Sequence, residues 1–389
     1  MFSAEKKYQI GITGPLASVD LMLAQALANL GFSCIVFRHE SYGPTDTRKE
    51  LGYYFNGENT FAVESFSSPK EFVEKASPCK VLVSFGLGFL AAIRYLYPLK
   101  FLKNFPEIMN ISTGADMAEF IDSGSLKARL FKHHLHSSKF NTVLPFPHAI
   151  KNTLKYKLPN TAFIPFIFPI NEDEEIAFPN NETLTFFHPT RFDWNETTAE
   201  KGRNTTKGNN RFIKAYAKAI KSGLKTKCHI LERGVDLEPA RKLISDLGIE
   251  DNFIWHQELS REDLFKMMRQ SDVIVDQFDY GGFGGIAAEA MSIGKPLITY
   301  VNENSADLLY GNDKPPILNC WSESEIHEAI RKCEDRDFLR ETAHLSKDWV
   351  VRNHHWKYCM EKFKFYYTLL TGEEVMDYGW KRTPETKSN

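Results

Sequence analysis

The chain has 389 residues, 42% hydrophobic and 25% charged, with a formal net charge of −2. That length suits two domains of about 150–200 residues each, and the composition excludes wholesale disorder. The near-neutral charge argues against a nucleic-acid partner, because phosphate neutralisation needs a basic field.

The cysteines, Cys34, Cys79, Cys228, Cys320, Cys333 and Cys359, show neither CxxC nor zinc-ligand spacing. They read as reduced thiols, and no metal site is expected. The first residues, MFSAEKKYQIGIT, hold no apolar signal core. No run of about 18 apolar residues occurs. The expectation is a cytoplasmic protein, at most peripheral at the inner face of a membrane.

Residues 8–13 read as a buried strand, broken by Gly14-Pro15. Residues 20–30 set Leu23, Ala24, Leu27 and Leu30 at helical spacing, and Gly31 is a natural stop. Apolar runs at 34–37, 81–85 and 107–111 read as further strands. Residues 164–170 carry Pro165 and Pro169 and read as an extended linker. A second series follows, with strands at 183–188, 227–231, 253–256, 272–276 and 297–301. Its helices fall at 210–222, 239–247, 261–269, 285–293 and 323–333. Residues 340–370 are mostly helical in pattern, and their many aromatics suggest docking. Strands alternating with helices imply parallel sheets covered on both faces. The expected fold is α/β, with two Rossmann-like doubly wound domains facing a cleft. Residues 1–165 form the first, 166–350 the second, and 351–389 a helical tail. Ligands of such sheets bind outside the carboxyl ends of strands, so the loops after strands should hold the chemistry.

The most informative stretch, residues 272–296, runs strand, glycine-rich loop, helix, stop. Gly281, Gly282, Phe283 and Gly284 form the loop, where glycines let backbone N–H groups approach a ligand. The helix beyond Gly284 offers unpaired N–H groups and a positive dipole end, suited to a diphosphate. Glu289 is the lone charge in residues 286–293, just over one turn in. A carboxylate there can accept two hydrogen bonds from a ribose diol. The plain alternative is a solvated glutamate on a half-exposed helix.

This stretch resembles the donor-site motif of the retaining, family 4 type glycosyltransferases of the GT-B fold (glycosyltransferase group 1). That motif has two glutamates separated by seven residues and ends in Glu-Ala-Met and Gly-x-Pro. Glu289-Ala290-Met291, Gly294 and Pro296 match. The first glutamate falls at Gly281, so the carboxylate that usually touches the sugar is missing. Asp276 and Asp279 are the candidates to reach toward that place.

The resemblance implies an enzyme that moves a sugar, with retention, from a nucleotide-diphosphate sugar to an acceptor hydroxyl in cell-surface glycan assembly. The nucleotide sugar is a co-substrate, and no cofactor is implied. The acceptor is a saccharide or lipid-linked saccharide. The first domain becomes the acceptor domain and the second the donor domain, with the C-terminal helices packing back on the first.

By the same resemblance, Arg191 and Lys207 neutralise the donor diphosphate, with Lys201 a rival to Lys207. The chemistry supports this independently. Breaking a sugar–phosphate bond leaves negative charge, and removing one group that meets such charge typically costs about 3 kcal/mol. Arg233 sits either in a loop lining the nucleotide or in a plain turn. Gly14 falls in a loop that faces the cleft in this family. Asp116 either orients an acceptor hydroxyl or caps a helix.

Residues 127–136 include Lys127, Arg129, Lys132 and three histidines. They read as a surface for anionic lipid or as a solvated helix face. Three rivals stand beside the transferase. An NAD-dependent Rossmann oxidoreductase would need an acidic residue after the second strand, where Arg38-His39-Glu40 stands. An epimerase or hydrolase could share the fold. A catalytically inactive nucleotide-sugar-binding subunit is suggested by Gly281.

Overall fold

The structure, a computed structural model, describes residues 7–14, 19–42, 60–85, 105–112, 115–118, 120–144, 146–163, 168, 170–179, 181–194 and 206–373. The first half runs β1 (Tyr8–Thr13), α1 (Val19–Asn29), β2 (Cys34–His39), β3 (Ala62–Phe66), α2 (Pro69–Ala76), β4 (Cys79–Phe85) and β5 (Glu107–Ser112). It continues with a short α3 (Ala115–Ala118), α4 (Leu126–Ser137), β6 (Phe140–Val143), α5 (Pro147–Lys155) and β7 (Thr161–Phe163). Its strands are parallel, in the order β3-β2-β1-β4-β5-β6-β7. Central strands are buried on both faces, as in β2 and β4. That is why they read as continuous apolar runs rather than alternating ones.

The second half runs β8 (Leu184–His188), α6 (Asn209–Lys221), β9 (Thr226–Leu231), α7 (Leu237–Leu247), β10 (Phe253–His256), α8 (Arg261–Gln270) and β11 (Val273–Val275). It continues with α9 (Gly285–Ser292), β12 (Leu297–Thr299), α10 (Glu303–Tyr310), β13 (Leu318–Asn319) and α11 (Glu323–Lys332). The six strands are parallel, in the order β10-β9-β8-β11-β12-β13. Local signals fix these elements. Gly248, at φ +67°, ends α7 in the left-handed conformation. Ser322 and Glu325 form a reciprocal cap that starts α11. On α6, Phe212, Ile213, Tyr216, Ala217 and Ala219 are buried at helical spacing.

Two long helices come last among the described residues. α12 (Arg336–His354) packs on α9, and α13 (Trp356–Thr371) crosses to the first half. There Met360, Phe363, Tyr367 and Leu370 share a core with Leu23, Leu27 and Phe32. Phe32 meets Tyr367 edge-on at 5.2 Å. This is the expected GT-B arrangement, with two parallel-sheet α/β halves and the helix α13 packed back on the first. Of the expected linker, residues 164–167 and 169 lie outside the described residues. Phe168 is buried and its N–H donates to His354 O at 3.0 Å.

The arginine near the end of the first half's second strand is not available to a ribose. Arg38 forks onto buried Asp20, with Nε 2.8 Å and Nη2 2.7 Å from the two carboxylate oxygens. Among the described residues no helix is long and apolar enough to cross a membrane.

Candidate nucleotide-diphosphate site

Strand order in the second sheet reverses between β8 and β11. Such a switch point opens a crevice at the carboxyl ends of the strands. A cavity of about 330 Å³ lies there. Its walls are Thr190 and Arg191 after β8, Arg233 and Gly234 after β9, Asp276 and Gln277 after β11, together with Lys207 and the first turn of α9.

The frame under this cavity is a neutral histidine. His188 ends β8, wholly buried. Its Nδ1 lies 2.9 Å from Val275 O and therefore carries the proton. Its Nε2 accepts from Asn209 Nδ2 at 2.7 Å, and Asn209 Oδ1 accepts from Asp193 N at 3.1 Å. The network assigns both the tautomer and the amide orientation. Burial pushes the His188 pKa down to about 4, so the ring stays neutral and ties β8, β11 and α6 together.

Three cations face the cavity. Lys207 Nζ donates to Gln277 Oε1 at 2.7 Å and sits 5.2 Å over the Tyr280 ring. Its backbone is pinned too, since its carbonyl accepts from Phe278 N at 2.7 Å. Gly208 follows at φ +66°, and a Cβ there would press on Asp279. Burial pushes Lys207 down to about 8, with Asp276 opposing that shift and Arg191 adding to it. Arg191 keeps its fork largely open, its Nε 3.2 Å from Asp193 Oδ2. Arg233 donates from Nη2 to Pro189 O at 2.8 Å, while its buried Nε finds no hydrogen-bond partner among the described residues. An unmet buried donor costs about 1–3 kcal/mol, and an anion in the cavity is the acceptor that would relieve it.

Asp276 is the carboxylate among them. It accepts from Thr190 Oγ1 at 2.6 Å, and burial raises its pKa. Gln277 escaped the sequence reading, yet it bridges Lys207 to the glycine loop, its Nε2 donating to Gly282 O at 3.0 Å.

α9 begins at Gly284 with no side-chain cap, so its first N–H groups remain open toward the cavity. Glu289 lies one turn beyond Gly285 and Ile286, on the same helix face. It is only 6% exposed, so the solvated-glutamate alternative does not hold. Arg261, the first residue of α8, pairs with it. Burial pushes Glu289 up to about 7, with Arg261 pulling it back. Sequence reasoning missed Arg261, because a charge at a helix start reads as solvated and nothing local links it to Glu289. Glu289→Ala is expected to weaken nucleotide binding at least tenfold by calorimetry, and unchanged affinity would remove the ribose assignment.

The other named residues fall elsewhere. Phe283 turns its ring into the core, stacked 4.7 Å from His354, so only its main chain belongs to the loop. The space beside Gly281 is not vacant, because a Cβ there would lie 3.2–3.3 Å from Tyr300, Asn302 and Pro147. Asp279 is taken by Arg211 and Thr206. Gly282 meets the first domain: a Cβ would fall 1.7 Å from the Phe146 ring, which packs tilted against Tyr280 at 4.5 Å. Asp116 lies wholly buried in α3, its Oδ1 accepting from Met117 N at 2.9 Å, and does not line the cavity. Gly14, at φ +99°, allows β1 to end against Phe85 O, which a Cβ would approach to 2.3 Å. The loop after it and Lys201 lie outside the described residues.

A smaller cavity of about 120 Å³ opens at the opposite ends of β11 and β12. Its Lys295 is held by Ala177 O and Arg269 O, and its Arg336 by Asp272, so both are already engaged.

Comparison with known proteins bears on the same region. Residues 201–344 match the family Glycosyl transferases group 1. No curated protein matches the chain in sequence. Among solved structures, a glycosyltransferase from Rickettsia africae ESF-5 is similar over 94% of this chain and 98% of its own, with TM-score 0.67 and 15% identity. Anabaena Alr3699/HepE, solved with UDP and glucose, is similar over 93% and 100%, with TM-score 0.68 and 11% identity. WaaG, a glycosyltransferase involved in lipopolysaccharide biosynthesis, is similar over 94% and 100%, with TM-score 0.56 and 14% identity. At such identities the likeness speaks for the fold. Residues 201–344, which hold Lys207, Arg233, Asp276 and α9, thus form a glycosyl transferases group 1 domain within a chain of GT-B fold.

Proposed function

We propose that this protein is an enzyme that transfers a sugar, with retention, from a nucleotide-diphosphate sugar to the hydroxyl of a saccharide acceptor in cell-surface glycan assembly. One observation carries the reading. Arg191, Lys207, Arg233 and the uncapped start of α9 converge on one cavity at a strand switch point, with Glu289 on the adjoining helix face. Such a set fits a nucleoside diphosphate, with phosphates against the cations and helix end and ribose against Glu289. When the sugar–phosphate bond breaks, charge grows on the leaving diphosphate. Arg191 meets it as a fork and Lys207 as a point charge, without reorganising. The acceptor hydroxyl then attacks from the face the diphosphate leaves, and its proton passes to the leaving phosphate. Anabaena HepE, solved with UDP and glucose, makes UDP-glucose the first donor to try. A binding subunit without turnover is the second reading, favoured by Gly281 and by the residues that fill the space beside it.

The test is a thermal-shift series with UDP, GDP, ADP and CDP, followed by product analysis with an acceptor pool. A ligand at 100 times its Kd stabilises by about 2.7 kcal/mol, so the right base stands out. No shift with any of the four would sink the reading. A shift without product in any pool would favour the binding subunit.

Binding should also be greatest between about pH 7 and pH 8. Above 8 the free protein's Lys207, its pKa depressed to about 8, loses its charge. Below 7 Glu289, raised to about 7, gains a proton and an acceptor is lost. Glu289→Gln should flatten the acid limb of a calorimetric pH series and leave the alkaline limb in place.

A further inference from the structure

Between Ser123 and Asn171 the sequence carries Lys127, Arg129, Lys132, Lys139, Lys151, Lys155 and Lys157, and no Asp or Glu. Across the chain the totals are 48 basic and 50 acidic residues, so the rest is clearly acidic. Positive charge has been gathered into α4, α5 and their surroundings. α4 buries Ala128, Phe131 and Leu135 and turns outward Leu126, Lys127, Arg129 and His133. α5 buries Ala149, Asn152 and Thr153 and turns outward Lys151, Leu154 and Lys155. Leu126 is 67% exposed and Leu154 71%, so each helix lifts an isolated leucine among cations.

The two faces belong to one surface. Lys132 Nζ lies 4.3 Å over the ring of Tyr156, the residue that follows α5. Lys155 and the Tyr156 hydroxyl both reach Asp122, just ahead of α4. Asp122 is thereby neutralised at the margin, as Glu107 is by Lys139 at 2.9 Å. The surface also has a fixed relation to the cleft. α5 starts at Phe146 and Pro147, which pack on Gly282 and Gly281. At 1.5 Å rise per residue, Leu154 stands roughly 12 Å along the helix from that seam.

We propose that this face of α4 and α5 rests on an anionic lipid surface. The leucines would leave water among the acyl chains while the lysine and arginine stems carry their charges back to the headgroups. A long polyanion fits less well. It would gain nothing from the leucines, and the acidic remainder of the chain would repel whatever ran past the patch. If the chain transfers a sugar as read above, an acceptor held in that surface sits beside the cleft, so a lipid-linked saccharide is the acceptor class; this last step rests on that reading.

Co-sedimentation of the full chain with vesicles tests the surface. Phosphatidylcholine alone is compared with phosphatidylcholine containing about 30% phosphatidylglycerol, at about 0.1 M and about 0.5 M salt. Binding is expected only with phosphatidylglycerol, at least tenfold weaker at the higher salt. The variant Lys127→Glu/Arg129→Glu/Lys151→Glu should lose at least tenfold in binding, with its nucleotide thermal shift intact. Leu126→Asn/Leu154→Asn should lose the part of the binding that resists salt. The proposal is overturned if phosphatidylglycerol makes no difference, if the triple variant binds as the parent does, or if heparin is bound as tightly as the vesicles. Vesicle binding without any nucleotide shift would instead count against sugar transfer and leave the surface standing.

Discussion

Lys207→Ala should lower turnover about 100-fold, the ~3 kcal/mol typical of removing one group that meets transition-state charge. The side chain is aimed by Gln277 and backed by the Tyr280 ring, so its charge waits at the cavity before any ligand arrives. Alanine keeps the backbone N–H and carbonyl that pin this residue, and Gly208 still turns the chain into α6. The loss should therefore fall on the chemical step and not on folding. Steady-state kinetics would show kcat falling further than the donor KM rises. Lys201→Ala is the control; a larger loss there would mean that the other lysine neutralises the diphosphate.

Gly282→Ala should lower turnover at least tenfold while leaving nucleotide affinity within about twofold. The added methyl would overlap the Phe146 ring, and overpacking of this kind costs about 1–3 kcal/mol. That is enough to push the first domain off the glycine loop. Every residue lining the candidate nucleotide cavity belongs to the second half, so binding of the proposed nucleoside diphosphate should persist. Phe146→Ala combined with Gly282→Ala makes room and should recover part of the loss. Calorimetry with nucleotide beside transfer assays separates two roles. If affinity falls as far as turnover, Gly282 contacts the ligand, as the loop's sequence suggested. If neither falls, the contact with Phe146 has no part in turnover.

The second half of the fold was legible because its signals are local. Gly248 and Gly294 adopt positive φ where the pattern stops, and β11, α9 and β12 follow the expected order within a residue or two. Glycine and proline act through their own backbone, so no partner is needed to read them. Several first-half elements were not expected. β3 includes Glu64 and Ser65 and is only partly buried, while β6 and β7 are short and carry Asn141, Thr142 and Thr161. They become strands because β2 presents an edge to β3, β5 to β6, and β6 in turn to β7. β-propensity depends on that context, and a short polar segment carries little of it alone.

The sequence by itself determined that a strand, a glycine loop and an uncapped helix start would lie together near Glu289, since consecutive residues cannot separate far. Only the tertiary structure decided what surrounds them. Arg261 pairs with Glu289 across 28 positions, and Phe146 reaches Gly282 across 136. Arg233 joins Lys207 through strand order, and the space beside Gly281 is filled by Pro147, Tyr300 and Asn302. These contacts arise from how two sheets and their helices pack, and packing couples residues whose separation along the chain leaves no local signal.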